Sequence, residues 1–563
     1  MSGKKYKDKV KQRTKEEEKA MKAKVAAKKQ DLMSELTTDV IRTYFDEDGV
    51  GDGKLFNRLH RDKIVGVIDS DDFLFWNGAH WEKAKEKQEF RAIEDVVRLY
   101  ERLAVEKEKE FDSVDKRDDP DLKKELQKQL GAIRRRIKTL RDAPGQDNLK
   151  KMTARVDPPL LVYPEQLDDK PRLLPCPNGV INLETGELEQ GRPRDYLLTA
   201  CETEYDPGLL DVEDPCPVAN DFLLRSMDGD KELVAFIWRL LGYGLIRERK
   251  DHIFMIFHGE HGRNGKDTLI KLITTTLGKA LSGDVPVEML LQTPNVKNSS
   301  GPSPDVMRLR GMCIAWINEA EENQKFALAK LKKLSGGSYI TGRSPYSKEE
   351  TSWKQTPLPI MTTNELPKAK ADDAAFWQRA LILKWNLSFV NKPDPAKPYQ
   401  RQADKYLDEK LEKERKGVLA RMVRGAIEYL KYGGLQVPEK VYRWTESQRT
   451  NWDDLAQFID EWCVREPGHE RIEDYKTSIS ATDLHEAFCL WYARYKDRRF
   501  SISAKKFAEM LNKKEIPSKK SNGIWRLGIT LTPDADIELQ KAREFNPPKS
   551  SHKKGEDGNG NML

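Results

Sequence analysis

The chain alternates between long polar stretches and short, dense apolar runs, and the period of its apolar positions changes several times. Residues 1–35 are rich in Lys and Glu with almost no large apolar side chain, the pattern of a disordered basic arm. From Leu36 to about Trp81 a small folded unit is expected. Ile64–Ile68 and Phe73–Trp76 read as strands, with Asp69–Asp72 and Asn77-Gly78 as turns. Glu82 to about Arg141 is charged and helix-prone, broken at Asp119-Pro120, which predicts a hairpin of two exposed helices. Short strands flank Asn178-Gly179 and Thr185-Gly186, and Lys231–Ile246 has helical character. Four compact apolar runs follow, His252–His258, Met312–Ile317, Leu358–Thr363 and Ala380–Trp385, each reading as a strand. Toward the C-terminus, Leu455–Val464 and Ala481–Tyr495 have helical periodicity, Ser503–Lys514 forms a third helix, and Lys519–Arg526 reads as a β-wing. The resulting division is an arm (1–35), an accessory region with hairpin and helical hairpin (36–150), a second α+β region (151–250), a core (251–390), a helical connector (391–450), a compact domain (451–531) and a disordered tail (532–563).

Composition narrows this picture. At 563 residues the chain needs several cores, and 34% charged residues against 38% hydrophobic ones indicate a surface-rich protein. The net charge of +6, from 99 basic and 93 acidic residues, matters less than its distribution. No apolar run is long enough to cross a bilayer, and no signal-peptide core is present, so no membrane partner is expected. The six cysteines form no C-x-x-C pair and no disulfide-like spacing, which favours a reducing cytoplasm.

The chemistry concentrates at Gly259-Glu260-His261-Gly262-Arg263-Asn264-Gly265-Lys266-Asp267-Thr268, between a strand and a helix-like run over Leu269–Leu277. A glycine-rich turn at a helix N-terminus presents backbone N–H groups to phosphate oxygens, and Lys266 adds a mobile point charge for the β- and γ-phosphates. Gly262, Arg263, Asn264, Gly265, Lys266, Asp267 and Thr268 are therefore the candidate phosphate cradle. The loop departs from G-x-x-x-x-G-K-[ST] twice. Glu260 sits where the first glycine is expected, and Asp267 replaces the hydroxyl residue that normally holds Mg²⁺. Thr268, or Asp267 directly or through water, then holds the ion.

Asn318-Glu319 ends the next apolar run. A carboxylate at such a strand tip polarises attacking water or holds Mg²⁺ through water, and Glu321 and Glu322 are nearby substitutes. Asn364 ends the third run, where an amide reads the γ-phosphate. Arg379 follows in Phe376-Trp377-Gln378-Arg379 and reads either as an arginine finger for a neighbouring subunit's nucleotide or as a surface arginine. Lys332, Lys333, Arg343 and Lys348 either grip DNA phosphates from a loop or are solvated. Lys505, Lys506, Lys519 and Lys520 give the C-terminal helix and wing a basic face, for DNA or for solvent. The Asp69/Asp71 pair is explained by turn chemistry more cheaply than by catalytic metals. His485-Glu486 lacks the second histidine of a zinc motif.

In this ordered set the chain resembles the superfamily 3 helicases, and within them the phage and plasmid primase-helicases related to the poxvirus-type primase-helicase. The residues that carry the likeness are Trp76-Asn77-Gly78 with Trp81, Asn178–Leu183 with Thr185-Gly186, Gly242-Tyr243, Gly262–Lys266, Asn318-Glu319, Leu334–Gly337 with Arg343, Thr363-Asn364 and Trp377–Arg379. The resemblance implies an α/β fold: an AAA+-type P-loop ATPase core with a doubly wound, mainly parallel sheet, beside an α+β N-terminal accessory region. A C-terminal winged helix, read from the residues themselves, fits the same picture. It also implies a homohexameric ring that uses ATP and Mg²⁺ and moves 3′-to-5′ on single-stranded DNA to unwind forked DNA. Lys266, Glu319, Asn364 and Arg379 would be its phosphate lysine, Walker B carboxylate, sensor and trans-acting finger. Lys333, Arg343 and Lys348 fall in its DNA-contacting loop. No primase domain is expected ahead of this block, which implies a separate primase or polymerase, and a bacterial host cytoplasm follows if a phage or plasmid encodes the chain. Two other readings stay open: a small-molecule P-loop kinase, and a non-processive ATPase acting as replication initiator or loader.

Overall fold

A computed structural model of the chain describes residues 35–68, 72–84, 88–115, 119–292, 303–318, 325–343, 350–367, 369, 373–469, 471–496 and 502–545. The expected basic arm therefore lies outside the described residues, as do Asp69, Asp71, Glu319, Glu321, Glu322 and Lys348. The fold divides into two units. The first comprises Met1–Glu321, Ala327–Leu366 and Lys384–Pro438; the second comprises Glu322–Phe326, Pro367–Leu383 and Glu439–Leu563.

The first unit begins with helices α1 (Thr38–Asp46) and α2 (Asp48–His60), which the strand-centred sequence reading did not anticipate. Strands β1 (Ile64–Val67), β2 (Phe73–Trp76) and β3 (Trp81–Lys83) follow as expected. The charged stretch forms α3 (Gln88–Ser113) and α4 (Pro120–Arg141), with Asp119 accepting from Leu122 N–H at the second helix's N-cap. A further helix, α5 (Ala143–Arg155), runs across the boundary expected at 150, and the strand β4 (Leu161–Val162) pairs in parallel with β1. The chain to Val162 thus belongs with the accessory region. Buried Asp52 of α2 ties this bundle together. It accepts from the Tyr100 hydroxyl at 2.6 Å and from Arg136 Nη1 at 2.7 Å, joining α2, α3 and α4. Burial raises the Asp52 carboxyl above its usual value, against the opposing pull of both partners.

The strands β5 (Leu173–Cys176), β6 (Gly179–Asn182) and β7 (Leu188–Glu189) form an antiparallel meander at the two predicted turns. Helix α6 (Pro217–Ser226) leads to α7 (Lys231–Leu245). The Asp230 carboxylate caps α7 by accepting from the N–H groups of Glu232 and Leu233, both at 3.1 Å. From Phe236 onward every residue of α7 is buried, as expected for a helix apolar on all sides. Its C-terminal carbonyls are taken by Arg249, which donates to Tyr243 O at 3.1 Å, to Gly244 O at 3.0 Å and to Ile246 O, and also reaches Thr356 O at 2.6 Å.

Strand β8 (Phe254–His258), helix α8 (Lys266–Leu277), β9 (Ser282–Val285), β10 (Ile314–Asn318), α9 (Leu328–Ser335), the antiparallel pair β11 (Tyr339–Gly342) and β12 (Thr351–Lys354), and β13 (Leu358–Thr363) build the central layer. Four of these strands pair in parallel in the order β9–β10–β13–β8. Their side chains are buried almost throughout, as both faces of a parallel sheet require. The register aligns the tips: His258 faces Thr363, and Asn318 faces Thr362. Strands β15 (Ser388–Val390) and β16 (Gln400–Gln402) follow; β14 (Ala380–Lys384) precedes them and falls largely in the second unit. Helices α10 (Leu407–Glu412) and α11 (Arg415–Tyr432) complete the first unit.

The second unit contains α12 (Glu439–Asn451), α13 (Asp454–Trp462), β17 (Cys463–Arg465), β18 (Ser478–Ser480), α14 (Ala481–Tyr495), α15 (Ala504–Lys513), β19 (Ser518–Lys520), β20 (Ile524–Leu527), β21 (Ile529–Leu531) and α16 (Pro533–Phe545). Three expected helices and the basic hairpin are present. The tail expected to be disordered from 532 is corrected over α16, because Ala535 and Leu539 are buried with Phe458, Trp491 and Phe507 in one core. Its apolar residues are too few for a periodic signal, yet two of them suffice to dock the helix.

Helices α7 and α11 approach so closely that glycine is required on both. A Cβ on Gly242 would stand 2.2 Å from Ala426 N, and one on Gly425 2.2 Å from Trp238 O. Gly425→Ala is expected to destabilise the chain by about 3 kcal/mol or more through overpacking. The check is urea denaturation followed by tryptophan fluorescence; an unchanged midpoint would contradict this account of the helix contact.

Candidate functional site

The loop after β8 owes its shape to two left-handed residues, Arg263 at φ 60° and Gly265 at φ 96°. Asn264 between them is buried and holds the turn: its Nδ2 donates to His261 O at 2.7 Å, and its Oδ1 accepts from Lys266 N at 3.4 Å. Ser388 Oγ donates to Gly262 O at 2.8 Å, Phe389 N donates to Arg263 O at 2.8 Å, and the His261 ring stacks on Tyr399 at 3.9 Å. A Cβ on Gly259 would meet Asn264 Nδ2 at 2.2 Å, so this glycine is fixed by close packing. Helix α8 starts at Lys266, three residues earlier than the apolar pattern indicated, which puts Lys266, Asp267 and Thr268 in its first turn.

Because β13 lies directly beside β8, its tip reaches this loop. Lys266 Nζ donates to Asn364 Oδ1 at 2.8 Å and to Thr363 O at 2.9 Å. Gly259 N donates to the same Thr363 carbonyl at 3.2 Å, and His258 Nε2 lies 3.1 Å from Asn364 O. Burial holds the His258 imidazole below its usual pKa, which favours the neutral ring beside the Lys266 charge. Two residues that the sequence separates by nearly a hundred positions are thereby in direct contact. One strand further on, Asn318 Nδ2 donates to Asp284 Oδ1 at 3.0 Å while its Oδ1 accepts from Thr362 Oγ1 at 2.8 Å. Asp284 and Thr362, which the sequence reading did not single out, thus fix the strand tip that precedes Glu319. Only the sheet order reveals them.

Asp267 is exposed and Thr268 half-buried, and neither side chain has a hydrogen-bond or ion-pair partner among the described residues. An unpaired carboxylate beside a hydroxyl suits a hard divalent cation that keeps most of its waters. Elsewhere, no cluster of His, Cys, Asp and Glu that would hold a metal ion occurs among the described residues. His485 sits within α14, with Nε2 2.8 Å from Ile502 O.

The other predicted residues belong to other elements. Arg379 belongs to the second unit; its Nη1 donates to Ala375 O at 2.9 Å, and its buried Nε has no partner among the described residues. Lys333 is exposed in the last turn of α9, and Arg343 follows β11, with its N–H donating to Ser303 Oγ at 3.0 Å. Lys505 and Lys506 are exposed in the first turn of α15, where positive charge opposes the helix dipole and so adds nothing to the helix. Lys519 and Lys520 are exposed on β19. Buried Arg526 of β20 locks that hairpin to α15, donating to Asn512 Oδ1 at 2.6 Å, Ile516 O at 3.0 Å and Ala508 O at 3.1 Å.

The Trp-Asn-Gly and Asn-Gly motifs are structural. Asn77 Oδ1 accepts from Ala79 N and His80 N, both at 2.9 Å, closing the turn that carries Trp81. Trp81 Nε1 donates to Pro193 O at 2.8 Å, and Asn178 exchanges hydrogen bonds with the backbone of Tyr205. No helix among the described residues is long and apolar enough to cross a membrane.

Comparison with known proteins places this arrangement. Residues 53–227 match the family model described as "D5 N terminal like". The "Putative helicase L207/L206" of Acanthamoeba polyphaga mimivirus is 28% identical over 386 residues, 67% of this chain and 38% of that protein. The "Putative helicase 121R" of Invertebrate iridescent virus 3 is 26% identical over 371 residues, 62% and 38% of the two chains. The "Putative primase C962R" of African swine fever virus is 24% identical over 357 residues, 58% and 34% of the two chains. The chain thus spans less than two fifths of the length of these relatives, and none of the three points to a bacterial host. Among solved structures, the NrS-1 C terminal region aligns at 12% identity and a TM-score of 0.35, over 62% of this chain and 88% of that one. Residues 53–227 are thus similar to the D5 N-terminal-like family, and the wider chain is similar to viral proteins named as helicases and primases.

Proposed function

We propose that the chain is an ATP-hydrolysing DNA helicase of superfamily 3, working as a homohexameric ring on single-stranded and forked DNA during replication. The observation that carries this reading is the contact of Lys266 with Asn364 at the aligned tips of parallel strands. A lysine in a glycine-bounded loop and an amide on the adjacent strand would flank the γ-phosphate from two sides. The order β9–β10–β13–β8, with the Asn318 tip one strand beyond Asn364, supports an AAA+-type P-loop core.

In this reading the N–H groups of Gly262 to Thr268 cradle the phosphates, and Lys266 leaves its internal carbonyl partners for the phosphate oxygens. Asp267 and Thr268 would hold Mg²⁺, with Glu319 assisting, and the ion would neutralise charge on the phosphates. Glu319 orients the attacking water, Asn364 reads the γ-phosphate, and Arg379 completes the site of a neighbouring protomer. The partnerless Nε of Arg379 favours that role over a purely structural one. The α13, α14 and α15 helices with the β19–β20 hairpin are read as a winged helix. Lys505, Lys506, Lys519 and Lys520 then meet DNA phosphates, as do Lys333, Arg343 and Lys348 inside the ring. Priming falls to a separate primase or polymerase, or to chain beyond the matched part. A small-molecule kinase is disfavoured by Arg379 and the sensor asparagine, Asn364. A non-processive initiator or loader differs by failing to unwind forked DNA.

Lys266→Ala should lower ATP turnover at least about 100-fold in protein whose far-UV circular dichroism shows it folded; retained turnover sinks the phosphate-loop assignment. Arg379→Ala and Glu319→Gln proteins should each be inactive, and mixing them should restore part of the phosphate release. A mixture with no recovery would rule out sites shared between protomers. Replacing Lys519 and Lys520 together by Ala should weaken DNA binding and flatten the plot of log affinity against log salt by about two unit contacts. A slope equal to wild type would remove the hairpin from the DNA surface.

A further inference from the structure

Helix α4 carries its basic residues in two different situations. Leu126, Leu130, Ile133 and Leu140 form its buried side. The arginines bordering that side are all engaged by carboxylates of α2 and α3. Arg134 meets Glu108 at 2.7 Å, Arg136 meets Asp48 and Asp52, and Arg141 meets Glu101 at 2.8 Å and Glu94 at 3.1 Å. Lys124, Lys128, Arg135 and Lys138 are exposed, and none of their side chains has a hydrogen-bond or ion-pair partner among the described residues. At about 100° and about 1.5 Å per residue, these four lie within about 80° of one another, opposite the buried side, along about 21 Å of helix.

This stripe works against the helix that bears it. Lys124 and Lys128 are an i, i+4 pair and Arg135 and Lys138 an i, i+3 pair, and like charges at those spacings repel. Gly131 stands on the same stripe, and glycine is the poorest helix former after proline. No packing demands it: outside the helix's own backbone, a Cβ there would meet only Arg135 Nη1, at 3.6 Å. Stability alone accounts for neither feature. Contact with a polyanion accounts for both, since it neutralises the crowded charges, and the missing side chain lets the polyanion come close to the helix.

We propose that this stripe docks the phosphate backbone of double-stranded DNA, without regard to sequence. The chemistry of the face selects this occupant. Positions 124, 128, 131, 135 and 138 hold no apolar side chain, whereas a protein interface is built around an apolar core. Helix α4 contains no aromatic residue, and single strands are gripped by rings that stack on their bases. A straight row of charge matches the regular phosphates of a duplex. The inference goes beyond the function proposed above, because none of these residues belongs to the phosphate loop, to α9, to the segment after β11 or to the C-terminal hairpin.

The test is fluorescence-anisotropy titration of the full chain with a labelled duplex and with a single strand of the same length. No nucleotide is added, so the outcome is independent of the ATP reading. Replacing Lys124, Lys128, Arg135 and Lys138 together by Gln should cut duplex affinity about tenfold or more and flatten the plot of log affinity against log salt by about three to four units. Single-strand affinity should stay at wild type. Lys124→Arg, Lys128→Arg and Lys138→Arg combined keep the charge and should bind the duplex as wild type does. Gly131→Leu, with every charge in place, should lower duplex affinity about threefold or more by holding the backbone off. A wild-type salt slope in the Gln variant, or unchanged duplex affinity in Gly131→Leu, would overturn the proposal. So would an equal loss on duplex and single strand. Loss of binding to polyglutamate with duplex affinity retained would also overturn it, by making the occupant an acidic protein.

Discussion

The lateral pairing of β8 with β13 is the constraint on which the site depends. Parallel pairing aligns strand tips, and the register His258 to Thr363 leaves Asn364 beside the loop that follows β8. Lys266 is buried, and its ammonium takes the Thr363 carbonyl and the Asn364 amide oxygen. A buried charge without such partners would be costly, so the contact both satisfies the lysine and holds the two strand tips together. The same Thr363 carbonyl accepts from Gly259, which pins the loop's first residue.

Around that link the chain invests in close backbone packing. The glycines of α7 and α11 bring two helices into contact, and Arg249 closes the end of α7 just before β8 begins. The loop itself is secured from β15 through Ser388 and Phe389 and by the stacking of Tyr399 on His261. The second unit solves a different problem: Arg526 gives its donors to three acceptors so that a short hairpin keeps a fixed relation to α15.

Several features were legible from residue order. Apolar runs bounded by turn chemistry located the central strands, since a parallel strand is buried on both faces and needs no alternation. Asp119-Pro120 marked the break between two helices, where the Asp119 carboxylate answers backbone donors at the start of α4. Helices α2 and α5 were not legible, because both hold glycines that a local helix pattern disfavours; α2 is held by the contacts of Asp52 with Tyr100 and Arg136. Helix α16 was missed for a similar reason, as two buried residues carry it.

Residue order by itself determined the chemistry available: a glycine-bounded lysine, an acidic strand end, an amide, and two basic segments. It did so because turns, caps and short apolar strands are governed by neighbours within a few positions. The tertiary structure alone decided which of these groups meet. Sheet order placed Asn364 next to Lys266 and set the Asn318 tip one strand further away, although the chain visits them in the opposite sequence. It also formed a cavity beside the loop from α6, β15 and α10, segments distant in sequence. Strand neighbours in a parallel sheet are chosen by long-range packing and crossover geometry, and no local pattern of residues encodes that choice.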